Sequence, residues 1–159
     1  MANFDLTYQA PPIGLLAPAA DAAGRAGTYK SLRNVTGLIH LVCRVNQGNA
    51  AQVTFTPLQA QDSSGTGSKA IPAVPIFFNL DTSLSDTLVA QTAAASFQTD
   101  VGLKDKIVVF KFEAGNLDLA NGFNHIAIQT SLSNAANITA AEMIAIGRFQ
   151  GATPPASEV

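Results

Sequence analysis

The sequence predicts an all-β chain, an antiparallel β-sandwich or barrel of jelly-roll-like type that carries an extended N-terminal arm. Three observations predict it. From residue 36 onward, apolar side chains recur with period two. Clusters of Gly, Asn, Asp, Ser and Pro separate those runs into six or seven short segments. No segment carries the period of a long amphipathic helix, which leaves the sandwich and barrel architectures. The 159 residues amount to one domain, long enough to bury a core without a disulfide framework or structural metal. Residues 1–34 read as the arm, 35–150 as the β-sandwich domain and 151–159 as a polar C-terminal tail.

In the arm, Pro11, Pro12 and Pro18 with Gly14, Gly24 and Gly27 interrupt any regular period. It nevertheless holds Phe4, Leu6, Tyr8, Ile13, Leu15 and Leu16, more apolar groups than a solvated linker carries. Two destinations satisfy them: an edge strand of the chain's own domain, or the surface of a neighbouring subunit. Arg25, Lys30 and Arg33, with Tyr29 among them, form a basic cluster where the arm meets the domain. Three cations beside a net-negative domain make a poor nucleic-acid footprint. They suit an acidic protein surface or a solvated junction. Phe4, Leu6, Tyr8, Ile13, Leu15, Leu16, Arg25, Tyr29 and Arg33 are therefore the candidate partner-contact residues.

In residues 37–45, Ile39, Leu41, Cys43 and Val45 fall on one face, and Leu38, His40, Val42 and Arg44 on the other. This is a strand with a core face and a mixed face. The turn residues Asn46-Gln47-Gly48-Asn49 precede renewed alternation in residues 52–56, with Val53 and Phe55 inward, so the two segments read as a hairpin. Residues 62–69 read as a surface loop. Pro72 and Pro75 make residues 76–80 an edge strand or one that starts after Pro75. Residues 88–95 tolerate helix, but Thr87, Val89, Thr92 and Phe97 favour strand. Residues 106–114 give the clearest strand, with Val108, Phe110 and Phe112 on one face. Asn121-Gly122 signals a hairpin to residues 123–130, where Ile126, Ile128 and Thr130 share a face. Residues 142–149 form the last strand, although their alanine and methionine content also permits helix.

The inventory of reactive groups predicts no enzyme, no cofactor and no metal. His40 and His125 are far apart in sequence, and neither His-x-x-x-His nor Cys-x-x-Cys occurs. His40 and Cys43 have opposite parity on one strand and cannot form a nucleophile and base pair there. Cys43 reads as a small core hydrophobe, and both histidines as surface or subunit-contact groups. Gly65-Thr66-Gly67-Ser68-Lys69 lacks the phosphate-loop spacing. Asp81, Asp86, Asp100, Asp105 and Asp118 sit in turn contexts, where aspartate caps backbone amides.

Composition supplies the rest. Charged residues make up 13%, about half the ordinary ~25%, against 27 alanines and 42 Ser, Thr, Asn and Gln. Such a neutral, polar surface suits a protein docked to copies of itself or to a scaffold. The N-terminal residues lack a basic and an apolar signal region, so a reducing cytoplasm is expected. The apolar runs are shorter than the ~20 residues of a membrane helix, so no membrane partner is expected.

The phrases Tyr29-Lys30-Ser31-Leu32-Arg33-Asn34, Val45-Asn46-Gln47-Gly48-Asn49-Ala50-Ala51, Pro75-Ile76-Phe77-Phe78-Asn79-Leu80-Asp81 and Asn121-Gly122-Phe123 resemble small β-rich proteins of tailed bacteriophages. Those proteins are encoded among head-assembly genes and associated with capsid decoration, also called cement. The resemblance covers most of residues 29–153 and brings no catalytic residue. It implies a structural virion protein on the capsid surface, made in the bacterial cytoplasm. Its partners would be the major capsid protein and itself, often as a homotrimer, with head stabilisation as the role. A tail-tube or other virion subunit is the alternative. A carbohydrate-binding sandwich ranks lower, because without Trp and with only Tyr8 and Tyr29 the chain lacks a stacking platform.

Overall fold

The computed structural model describes residues 6–147, and everything structural below concerns those residues. After a single α-helical turn, α1 (Leu6–Gln9), come β1 (Ile13–Ala20), β2 (Lys30–Ser31), β3 (Val35–Gln47), β4 (Thr54–Ala60), β5 (Lys69–Ala70) and β6 (Val74–Asn79). There follow β7 (Val89–Ala94), β8 (Phe97–Gln98), β9 (Asp105–Glu113), two 3-10 turns (Ala114–Asn116 and Leu119–Asn121), β10 (His125–Thr130) and β11 (Asn137–Gly147). One sheet has the order β1-β11-β3-β9-β6-β7. The other runs β2-β10-β4-β5, with β8 also on β4. All pairings are antiparallel, and the two sheets form an all-β sandwich, not a closed barrel.

β3 organises the molecule because its alternation is the strictest. Ile39, Leu41, Cys43 and Val45 are fully buried between the sheets, as their parity predicts. Val108, Phe110 and Phe112 of β9 and Met143 of β11 extend that inner face, and Phe55, Ile126 and Ile128 answer from the second sheet. Fully burying each such side chain is worth about 1.5–3 kcal/mol, so the inner face outweighs any local helix preference in the alanine-rich strands. The last strand, whose Ala141, Met143 and Ala145 are buried, is accordingly not a helix, while residues 89–94 form strand β7 through their ladder with β6 and leave their own side chains largely exposed.

Both expected hairpins are corrected. β3 and β4 lie in different sheets, because β9 and β11 already occupy the two ladders of β3 along most of its length. The chain crosses over residues 48–53 instead. The buried Asn137 side chain holds the crossing, accepting from Asn49 N at 2.8 Å and donating to Ala51 O at 2.8 Å. β9 and β10 are likewise in opposite sheets. Asn121 ends a 3-10 turn, and Gly122 supplies its left-handed cap at φ 80°. Gly there answers to a helical stop, not to a two-residue hairpin.

β6 is interior, flanked by β9 and β7, although its prolines suggested an edge. Pro75 falls at a register shift between Val74 and Ile76, the kind of position where a strand tolerates a missing N–H. β11 begins at Asn137, five positions before the expected start. Buried Asn137 and Thr139 hide the inward face of its first residues from an apolar count.

Residues 13–20 of the expected arm pair with β11 as an edge strand of the chain's own sheet. A register shift between Gly14 and Leu16 lets the consecutive residues Leu15 and Leu16 both turn inward, at 3% and 6% exposed. The chain then crosses to the second sheet. Gly27 N donates to Ile128 O at 2.8 Å, and Thr28 N to Leu15 O at 2.9 Å. Gly27 is required here, because a Cβ would lie 2.6 Å from Leu15 O.

Candidate functional site: the outer face of the six-stranded sheet

Of the nine residues singled out as partner contacts, the eight that are described do not gather into one surface. Phe4 lies outside the described residues. Leu6 and Tyr8 are exposed on α1, and Ile13 is half-buried against the core. Leu15 and Leu16 are enclosed by the chain's own core, so they offer nothing to a neighbour in this fold. Arg25 works as a clamp between β1 and β11. Its guanidinium donates to Ala19 O at 3.1 Å, Thr139 O at 3.0 Å and Thr139 Oγ1 at 3.2 Å, and also to Ala17 O. Tyr29 packs beside Gly65, and its hydroxyl bonds Ser68 Oγ. Arg33 is exposed.

A continuous face emerges instead from the residues of even parity on β3. Register aligns Ala90, Phe77, Val109, Val42, Glu142 and Gly14 abreast across all six strands, on the side away from the core. The adjacent row carries Lys111, His40 and Ile144. The row on the other side carries Ile107, Arg44 and Ala140, with Ile138 beyond. Leu38 lies further along β3. Seven large apolar side chains thus occupy a face that an isolated sandwich would hand to polar residues. The sequence carried the signal: β3, β9 and β11 are apolar at both parities, where a half-solvated strand is apolar at one.

Two shallow grooves of about 290 and 300 Å³ indent this face, both lined by Arg44. Glu142 lines the first, and Asp105 and Ile138 the second. Neither the Arg44 nor the Glu142 side chain has a hydrogen-bond or ion-pair partner among the described residues. His40 is held below its ordinary pKa, first by partial burial and then by the neighbouring Lys111 cation. The face therefore combines apolar area with the side chains of Arg44 and Glu142.

Elsewhere the reactive groups serve the fold. Burial pushes the Cys43 thiol far above its ordinary range, and His40 projects from the opposite side of the sheet. Lys106, 1% exposed, shares the core face of β9 with Val108. Its ammonium donates to Gln47 Oε1 at 2.8 Å and Asp100 O at 3.1 Å, and pairs with the Asp100 carboxylate. That bond holds Asp100 below the usual carboxylate range. Asp21 is wholly buried and accepts from Thr130 Oγ1 at 2.8 Å, while its Oδ2 has no partner among the described residues. Sequence reading passed over both buried charges, though the parity of Lys106 with Val108 and Phe110 was a usable signal. Asp81 and Asp100 cap turn amides, accepting from Ser83 N at 3.1 Å and Gly102 N at 3.1 Å. Among the described residues no three of His, Cys, Asp and Glu come together as a metal site, and no helix is long and apolar enough to cross a membrane.

No protein-family model matches the chain, and no curated protein matches it. Among solved structures it is similar to the crystal structure of SPBc2 prophage-derived protein YomS, with 9% identity and a TM-score of 0.48 over 85% of this chain and 91% of that one. A likeness of that size assigns no function.

Proposed function

We propose that the chain is a structural virion protein of a tailed phage, a decoration or cement protein without enzymatic activity. In this reading it binds the outer surface of the assembled capsid and stabilises it. The observation that carries the reading is the apolar outer face of the six-stranded sheet. An antiparallel sheet covered on one side by its own core normally solvates the other, so seven large apolar groups there favour a covering partner. The low surface charge supports the same reading, since few ions need desolvation on docking.

The partner would be the major capsid protein, repeated over the icosahedral shell, and the chain would act as a homo-oligomer so that modest contacts add into firm retention. Neither nucleic acid nor membrane belongs to this scheme. The protein would be made in the bacterial cytoplasm and reside on the capsid exterior.

The test is co-sedimentation and light scattering with expanded empty heads of the phage that encodes the chain. Saturation at a fixed ratio is expected, together with loss of binding in a Val42→Asp, Ile144→Asp variant of unchanged circular dichroism. Protein that ignores the heads would end the decoration reading. Rings or tubes formed by the purified protein alone would replace it with a tail-tube subunit.

A further inference from the structure

We infer that β7 is a pairing edge through which two copies of this chain join, antiparallel, about a two-fold axis near Ala90. β7 bonds β6 on one side and ends the six-stranded sheet on the other. Its residues are exposed up to Ala93, with Ala94 half-buried. Val89 and Gln91 are in register with the inward-facing Phe78 and Ile76, yet both are exposed, so the second sheet stops short of them. Ordering the backbone of one residue costs about 1–2 kcal/mol, and β7 buries little in return within a single chain.

The other sheet edges are guarded. β1 carries Pro18 and two register shifts, β2 and β5 are two residues long, each with a lysine, and β8 is only two residues long with Phe97 buried. These devices block edge-to-edge pairing. β7 has one register shift against β6, but it contains neither proline nor charge, and no charged residue lies between Asp86 and Asp100. Leu84 and Leu88 beside it and Val89 within it are 84%, 42% and 54% exposed.

A second copy fits this edge better than an unrelated strand. A two-fold axis makes the contact antiparallel and sets each residue against its mirror position. Along β7 no like charges then meet, and Ala90 on the axis has little bulk to clash. The contact is small for a stable dimer, so association rises with concentration and is firm only where copies are held close together. The inference stands apart from shell docking, which uses the outer face, so either can fail alone.

Sedimentation equilibrium of the purified chain tests it. The expected mass climbs toward two chains with concentration, while a Val89→Lys, Gln91→Lys variant of unchanged circular dichroism stays at one. Cys43 is buried, so an introduced thiol is the accessible one. In the set Val89→Cys, Ala90→Cys and Gln91→Cys, oxidation is expected to cross-link at least one faster than Ala19→Cys on the guarded edge. Four results would each overturn the inference. These are a single chain at all concentrations, association unchanged by the lysines, cross-linking no faster than at Ala19, or a closed trimer, which an antiparallel edge cannot build.

Discussion

Lys106 shows what one buried charge requires. Its ammonium is kept in the core by Gln47 Oε1, the Asp100 carbonyl and the Asp100 carboxylate, while Gln47 Oε1 also accepts from Thr99 Oγ1 at 2.9 Å. Gln47→Leu removes the shared acceptor and leaves the charge in place, so it is expected to lower stability by about 2–4 kcal/mol. Lys106→Met removes the charge with its need for partners and is expected to cost less; urea midpoints of the two variants check the order. Ionisation works in the same direction at several residues. The pKa of His40 is lowered on folding, so the unfolded chain takes up its proton first. Its stabilising contribution is whole above about pH 6.5 and is lost as pH falls through the lowered value. Asp62, Asp81, Asp100 and Asp118 are also held down, Asp81 to about 2, so their contributions disappear below about pH 4. The melting temperature is thus expected to fall in two stages on acidification, and His40→Gln to abolish the first, which begins below about pH 6.5.

At the scale of elements, β1 is attached, beyond its ladder with β11, by few devices: the buried pair Leu15 and Leu16, the Arg25 clamp and the close approach at Gly27. Arg25→Ala is expected to raise hydrogen exchange of β1 and its partner residues in β11 while leaving β3 and β9 protected. Gly27→Ala pushes a methyl group against Leu15 O and is expected to destabilise the domain by about 1–3 kcal/mol, measured by denaturant unfolding. The elements also mark how far the sequence could be read. The strands β3, β9 and β10 were legible because their inward residues are apolar without interruption. The opening of β11 was not, because Asn137 and Thr139 face inward as hydrogen-bonding groups. Its partner Thr139 Oγ1 is needed by Arg25, 114 positions away, and no local pattern announces such a need.

For the whole molecule, the two-sided apolar character of the six-stranded sheet is the feature that bears on function. Val42 and Ile144 are half-buried on the outer face and lie outside the core between the sheets, so Val42→Asp with Ile144→Asp is expected to lower the melting temperature while leaving the chain folded, and to abolish binding to empty heads. The candidate site was half legible. The mixed outer residues of β3 and β9 could be read from parity, but the assignment of contacts to residues 1–34 could not anticipate that Leu15, Leu16 and Arg25 are engaged within the chain itself.

By itself the sequence determined the all-β class, the inward faces of the main strands, the burial of Cys43 and the scarcity of reactive groups, since each follows from side-chain parity or composition. Only the tertiary structure decided which strands pair, that residues 13–20 close the chain's own sheet, and that Lys106 and Asp21 lie inside. The reason is that ladder partners compete over long separations. Turn residues permit a reversal, but β9 and β11 fill the flanks of β3 and send the intervening segments across to the other sheet.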